Sequence, residues 1–143
     1  MARRRQSRQL RGRSLADAVV LDSGALSKAA AGDLRVRAEL SIAEQLGADV
    51  HVSSVSLTEV LRGHPRDPRV HALLAGVKQD WISPELGRAA GELLGRTQRD
   101  DTVDAIVAVT ADSAGSRVRL LTGDPDDLGA LTTDMAGVTV VSV

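Results

Sequence analysis

One short apolar run limits the folds open to this chain more than any other feature. Residues 18–21 read Ala-Val-Val-Leu and are followed at once by Asp22. Four consecutive apolar residues, two of them β-branched, indicate a strand buried on both faces, as in the centre of a parallel sheet. Because ligands of open α/β sheets bind outside the carboxyl ends of the strands, Asp22 is expected at a functional site. The alternative is that Asp22 only caps the helix that follows.

Strand-like and helix-like patterns alternate along the rest of the chain. Further strands are predicted over residues 50–53, 81–82, 118–122 and 138–143. Helices are predicted over residues 27–31, 34–46, 54–61, 70–77, 84–96, 103–111 and 126–131. This alternation predicts an α/β domain with a five-stranded parallel sheet flanked by helices on both faces. A length of 143 residues suits one such domain.

The charge of the chain is unevenly divided. Residues 1–14 hold six of the 18 basic residues and no acid, so the remainder has 12 basic against 19 acidic residues. Such a basic segment is expected to be disordered and to contact polyanions, although a solvated tail or a wrongly assigned start would look the same. We therefore divide the chain into an Arg-rich N-terminal arm, residues 1–16, and a folded domain, residues 17–143.

Composition excludes several classes of protein and site. The chain has no Cys and three scattered His, so disulfides, thiolate zinc sites and thiol nucleophiles are excluded and any metal would be held by oxygen. Trp81 is the one aromatic residue, which argues against modules that stack nucleic-acid bases. No apolar run reaches the length of a membrane span and no signal peptide is visible, so we expect a cytoplasmic protein without a membrane partner.

Four carboxylates occupy comparable places in the predicted elements. Asp22 ends the first strand, Glu59 lies in the helix after the second, Asp104 opens an apolar helix, and Asp124 follows the fourth strand. Each alone has an ordinary explanation as a cap, a turn residue or a solvated side chain. Adjacent parallel strands are about 4.8 Å apart, so all four could face one crevice and bind hard Mg²⁺ or Mn²⁺. Such a site suits hydrolysis of phosphodiesters.

Four segments in this order resemble PIN-domain ribonucleases, and in particular the VapC toxins of type II toxin-antitoxin systems. They are residues 20–26 (Val-Leu-Asp-Ser-Gly-Ala-Leu), 58–63 (Thr-Glu-Val-Leu-Arg-Gly), 101–108 (Asp-Thr-Val-Asp-Ala-Ile-Val-Ala) and 121–128 (Leu-Thr-Gly-Asp-Pro-Asp-Asp-Leu). The resemblance implies a PIN-like fold and a Mg²⁺-dependent endoribonuclease, with Mn²⁺ able to substitute. It also implies an RNA substrate, a homodimer, and neutralisation by a cognate VapB-like antitoxin.

The resemblance also assigns roles to individual residues. It matches Asp22, Glu59 and Asp104 to the first three acids of the family. It matches Asp124 to the fourth, with Asp127 as the alternative for that role. Ser23 and Thr122 are candidates for hydrogen bonds to metal-bound waters, and Arg62 could contact a substrate phosphate or pair with an acid. Asp101 could lie around the metal ligands, but helix capping is its expected role.

Three other readings compete with a ribonuclease. A haloacid-dehalogenase-like phosphatase needs a second Asp two residues after the first, but position 24 is Gly. A response-regulator receiver needs a Lys at the end of its last strand, but the chain has only Lys28 and Lys78. A catalytically silent PIN-like scaffold that binds RNA or a protein remains open, because all four acids are compatible with it.

Overall fold

The computed structural model describes residues 16–143, so the predicted arm, apart from Ala16, lies outside the described residues. The strands of this part are β1 (Ala18–Leu21), β2 (Asp49–Ser53), β3 (Lys78–Asp80), β4 (Val118–Thr122) and β5 (Val138–Ser142). The helices are α1 (Ser23–Ala31), α2 (Leu34–Leu46), α3 (Ser54–Val60), α4 (Asp67–Leu74), α5 (Pro84–Thr97), α6 (Thr102–Ala114) and α7 (Pro125–Leu131). No helix within these residues is long and apolar enough to cross a membrane.

The five strands form one parallel sheet in the order β3-β2-β1-β4-β5. β1 is central, and its last residue, Leu21, pairs with Val52 on one side and Leu121 on the other. The order along the sheet reverses between β1 and β4. In open α/β sheets, this switch point is where the carboxyl ends of the strands leave a crevice for ligands. The predicted five-stranded parallel sheet is confirmed.

Helices cover both faces of the sheet, as predicted, because successive side chains of a buried strand point to opposite sides. On one face, Val20 and Leu120 pack in a cluster with apolar residues of α5, α6 and α7. On the other face, Leu21 and Leu121 pack in a second cluster with residues of α1, α2 and α4. All of these strand side chains are fully buried, so the sheet is a rigid base for the loops at its carboxyl edge.

The third strand was predicted in the wrong place. It spans Lys78–Asp80 rather than residues 81–82, and both Trp81 and Ile82 are exposed. β3 lies at the edge of the sheet, where it pairs with β2 through its backbone. Its polar side chains give no apolar signal, because an edge strand need not be buried on both faces.

Two helices start earlier than predicted, and an aspartate side chain binds backbone N–H groups near each start. α1 begins at Ser23 rather than Ser27, since the Asp22 side chain accepts a hydrogen bond from Ala25 N. α4 covers Asp67–Leu74 rather than residues 70–77. Oδ2 of the buried Asp67 accepts hydrogen bonds from three backbone N–H groups of residues 62–64, which holds the preceding loop against the helix.

Candidate metal centre

Asp22 lies at the switch point of the sheet. Its backbone N donates to Leu121 O of the neighbouring strand at 3.1 Å, and its side chain is buried. Oδ1 accepts a hydrogen bond of 2.7 Å from Ala25 N, so Asp22 does cap α1, as the simpler reading of the sequence held. This bond fixes one oxygen and leaves the carboxylate at the carboxyl end of β1. Capping and a role in a site are therefore compatible.

The loop after β4 brings Asp124 to the same place. A Cβ added to Gly24 would lie 3.5 Å from Gly123 N, so the backbones that follow β1 and β4 are in direct contact. The buried Thr122 accepts a 2.8 Å hydrogen bond from Asp124 N at its Oγ1, which orients the start of α7. Asp124 in turn accepts a longer bond, 3.5 Å, from Asp127 N.

Asp104 completes the centre from α6. This helix packs against β1, β2 and β4, and Asp104 lies in its first turn. One carboxylate oxygen from each of Asp101, Asp104 and Asp127 lies within 4.8 Å of the others. We call these three residues the acidic trio. Asp101 occupies the N-cap position of α6, but its side chain makes no capping hydrogen bond, so the expected capping role does not explain it.

The electrostatics of the trio are those of crowded like charges. The pKa of Asp104 is raised to about 6, from an ordinary value of 3.8, mainly because the side chain is partly buried and also because other carboxylates lie near it. The contributing charges, in order of size, are those of Asp101, Asp127, Asp124 and Asp22. The charges of Asp22 and Asp124 therefore also act on Asp104, although within residues 16–143 only the acidic trio has carboxylate oxygens within 4.8 Å of one another. A cation bound there would relieve the repulsion.

The donor set fits a hard divalent cation. Mg²⁺ binds oxygen at about 2.1 Å in octahedral geometry, so oxygens on opposite sides of one ion lie about 4 Å apart. The oxygens of the acidic trio, within 4.8 Å of each other, approach that spacing. The donors are all carboxylates, as Mg²⁺ and Mn²⁺ prefer.

Arg99 is a part of this centre that the sequence-based prediction missed. Its Nη2 donates to Asp127 Oδ1 and lies 3.5 Å from Asp101 Oδ2. Its Nε is buried and has no hydrogen-bond partner within the described part of the chain. The signal in the sequence was an arginine two residues before the Asp-Thr-Val-Asp segment, but only the fold shows that it reaches Asp127.

Glu59 lies apart from the trio. It is exposed near the end of α3, and among residues 16–143 it is not one of the charges that raise the pKa of Asp104. α3 does contact both α1 and α6, so the helix borders the centre. The role of Glu59 as a metal ligand stays a prediction.

A groove with basic side chains runs beside α1. It has a volume of about 700 Å³ and lies between Ser27 and Ala31 on one side and the residues before and in α4 on the other. Its exposed basic side chains are Arg62, His64, Arg66 and Arg69, and we call it the basic groove. The guanidinium of Arg62 donates to the carbonyls of Thr58 and Leu61. Arg62 therefore contacts the end of α3 rather than an acid. Ser23, at the first position of α1, is half-buried.

Comparison with known families identifies the domain. A sequence model of the PIN domain matches residues 19–130, well over half of the chain. The chain belongs to the PIN domain family. The family predicted from four short segments is confirmed, and the match includes Asp22, Glu59, Asp104, Asp124 and Asp127.

Solved structures share the fold of this PIN domain. VapBC2 from Rickettsia felis, bound to a DNA fragment from their promoter, aligns with a TM-score of 0.68 at 13% identity, over 88% of this chain and 98% of that one. A toxin-antitoxin complex from Klebsiella pneumoniae aligns with a TM-score of 0.65 at 20% identity, over 85% and 95%. At these identities the likeness establishes the fold alone. None of the curated proteins compared matches this chain.

Proposed function

We propose that this PIN domain is a Mg²⁺-dependent endoribonuclease and the toxin of a VapBC-type pair. The observation that carries the proposal is the convergence of Asp22, Asp124 and the acidic trio at the switch point of the sheet, where the pKa of Asp104 is raised to about 6. Family membership supports a nuclease. The structural neighbours, which are toxin-antitoxin complexes, support the toxin assignment.

The side chains of the centre have separable tasks in such a reaction. A bound Mg²⁺ would stabilise charge on the phosphate and lower the pKa of a water. Asp104, Asp22 and Asp124 are the residues that we assign to hold the ion, with Asp127 and Asp101 as further acids beside it. The bonds from Ala25 N to Asp22 and from Asp124 N to Thr122 hold two of these residues in place before substrate arrives. Such preorganisation reduces the reorganisation needed at the transition state.

The basic groove supports RNA as the substrate. The folded part of the chain is acidic as a whole, so a polyanion needs local cationic contacts. Arg62, Arg66 and Arg69 are exposed at one groove. The groove lies along α1, the helix whose first turn is capped by Asp22. These arginines would attract the phosphate backbone of an RNA electrostatically, without contacts to specific bases.

Two partners belong to the same proposal. A VapB-like antitoxin would block the centre with an arginine, because a guanidinium binds carboxylates in two places at once. Arg99 supports this, since a guanidinium already lies among these acids. The homodimer rests on the resemblance to the family.

Cleavage of a structured RNA by the purified protein tests the proposal. We expect cutting only with Mg²⁺ or Mn²⁺, leaving 5′-phosphate and 3′-hydroxyl ends. Asp22→Asn and Asp104→Asn should each lower the rate by at least about 100-fold, because each removes a metal-binding charge. Glu59→Gln tests whether the exposed acid of α3 takes part.

The matched control is Asp112→Asn, because Asp112 is an exposed acid of the same helix as Asp104. Asp112 lies eight residues beyond Asp104, which corresponds to about 12 Å along the axis of α6 at roughly 1.5 Å per residue. Wild-type cleavage rates in Asp22→Asn and Asp104→Asn would show that the centre is wrongly assigned. An inactive wild-type protein that still binds RNA would favour the silent scaffold.

A further inference from the structure

Arg99 occupies the cationic position of the acidic trio. One nitrogen, Nη2, contacts carboxylate oxygens of both Asp101 and Asp127. These are two of the three residues whose oxygens lie within 4.8 Å of each other. The guanidinium therefore contacts two of the carboxylates that would bind a divalent ion. A metal and Arg99 cannot both use all of them.

The backbone on both sides of Arg99 is held by helices. α5 ends at Thr97 and is capped by Gln98, whose left-handed conformation (φ 53°, ψ 42°) is uncommon for a residue other than glycine. Arg99 N donates to Leu94 O of that helix at 3.1 Å. Asp101 O then accepts from Ala105 N in the first turn of α6. The side chain of Arg99 thus leaves a tightly connected turn and is not a chance contact of a long loop.

The guanidinium is partly withdrawn from water. The Arg99 side chain is 27% exposed, and its buried Nε has no partner within the residues that the structure describes. A buried donor without a partner costs free energy. The attraction of the surrounding carboxylates offsets that cost, because it is stronger where water is excluded. The position of Arg99 is therefore stabilised mainly by its attraction to the carboxylates of the acidic centre.

We propose that Arg99 is an internal counter-ion that competes with the divalent metal for Asp101 and Asp127. The inference rests on the metal centre of the proposed function and adds a residue that tunes it. With the metal absent, Arg99 neutralises part of the crowded negative charge and stabilises the fold. With the metal present, its contacts to the trio are broken, or the ion binds with fewer carboxylates. In both cases Arg99 lowers the affinity for metal.

Removing the guanidinium should therefore have two opposite effects. Arg99→Gln leaves the acids unpaired, so the metal-free protein should melt at a lower temperature than wild type. The same variant offers all three carboxylates to an ion, so its affinity for Mn²⁺ should rise by at least about fivefold, the lower end of usual coupling between sites. If Arg99 only stabilises the fold, Arg99→Gln should lower the melting temperature and leave the affinity for Mn²⁺ unchanged.

The test is calorimetric titration of Mn²⁺ into wild type, Arg99→Gln, Arg99→Lys and Arg96→Gln, with melting measured in EDTA and in Mn²⁺. Arg96 is the control, because it is an exposed arginine in the last turn of α5, three residues before Arg99. Arg99→Lys keeps the charge without the planar guanidinium and should fall between wild type and Arg99→Gln. Guanidinium ion added to Arg99→Gln, far below denaturing concentrations, should weaken Mn²⁺ binding again.

Each outcome decides a different claim. Equal Mn²⁺ affinity in wild type and Arg99→Gln overturns the counter-ion role and leaves the proposed nuclease standing. No Mn²⁺ binding by any of the four proteins overturns the metal centre and the counter-ion role together. If Arg99→Gln does not fold, Arg99→Met, which keeps an aliphatic stem without the charge, replaces it, and a wild-type affinity for Mn²⁺ in that variant overturns the inference.

Discussion

Single carboxylates in this PIN domain serve the fold and the centre at once. Asp22 caps α1 through Oδ1 and is also the residue that directly follows β1. Asp124 occupies the N-cap of α7 and contributes to the negative field at Asp104. A cap places a carboxylate beside backbone N–H groups, which stabilises its charged form. Asp101 makes no such capping bond but lies beside Arg99, whereas Asp104 has four other carboxylates acting on it and a raised pKa.

Asp104 should make the metal-free protein less stable at high pH. Because its pKa is raised to about 6 in the folded protein from an ordinary 3.8, the protonated group favours folding. Its stabilising contribution is full below about pH 4 and is lost as the pH rises through about 6. Asp104→Asn in EDTA should therefore exceed wild type in stability by about 1 kcal/mol near pH 8, a value reduced for solvent screening. Near pH 4 the two should be equal.

Urea unfolding of both proteins across this pH range measures the difference. Saturating Mn²⁺ near pH 8 should reverse its sign, because only wild type keeps the full set of ligands. A variant that is less stable than wild type in EDTA near pH 8 would contradict the raised pKa.

Close backbone contacts also join the elements at the amino ends of the strands, opposite the acidic centre. Asp17 Oδ2 accepts hydrogen bonds from the backbone N of Ser116 and Arg117, and Val118 N donates to Gly137 O at 2.8 Å. These bonds join the loop before β4 to the chain that enters β1 and β5. A Cβ at Gly137 would lie only 2.5 Å from Ser116 O. The close approach therefore requires glycine at residue 137.

Gly137→Ala should destabilise the protein by about 1–3 kcal/mol, because a backbone oxygen must move to admit the methyl group. Gly91→Ala is the matched control: Gly91 lies within α5 and a Cβ there meets nothing within 4 Å. That change should be neutral or stabilise by up to about 1 kcal/mol through helix propensity. Urea unfolding checks both. A Gly137→Ala protein as stable as wild type would disprove the clash.

At the scale of the whole molecule, positive and negative charge are separated along the chain. Residues 1–14 carry six arginines, and the rest of the chain has an excess of acids. Within the described residues, the acidic centre and the basic groove lie on different elements. The arm lies outside the described residues, so its role is a prediction from charge alone. An RNA approaching the acidic domain would gain most from the arm and the groove together.

Deleting residues 1–14 should weaken RNA binding at low salt and reduce its salt dependence. If all six arginines contact phosphates, the slope of log affinity against log salt falls by about 4, at roughly 0.7 per contact for single strands. Binding by Asp22→Asn protein, with and without the arm, over a salt series measures this, while active protein without the arm should cut at the same position. Superimposable slopes would show that the arm takes no part.

Local pattern in the sequence determined the elements and the family of this PIN domain. The apolar run before Asp22 was recognised because a strand buried on both faces is apolar at successive positions. The helix after Asp104 was recognised because its burial likewise leaves a local apolar pattern in the sequence. The polar edge strand β3 has no such pattern, and its position was therefore predicted wrongly.

Only the tertiary structure decided which charges meet. Arg99 and Asp127 are 28 residues apart, and they come together because α7 packs against both α5 and α6, the helices on either side of Arg99. The same packing places Asp101 in the trio, while Glu59 remains exposed on α3. No local period encodes such contacts, because a side-chain pair between distant elements depends on how the sheet and helices pack. The acids of the centre were visible in the sequence, but the guanidinium among them was not.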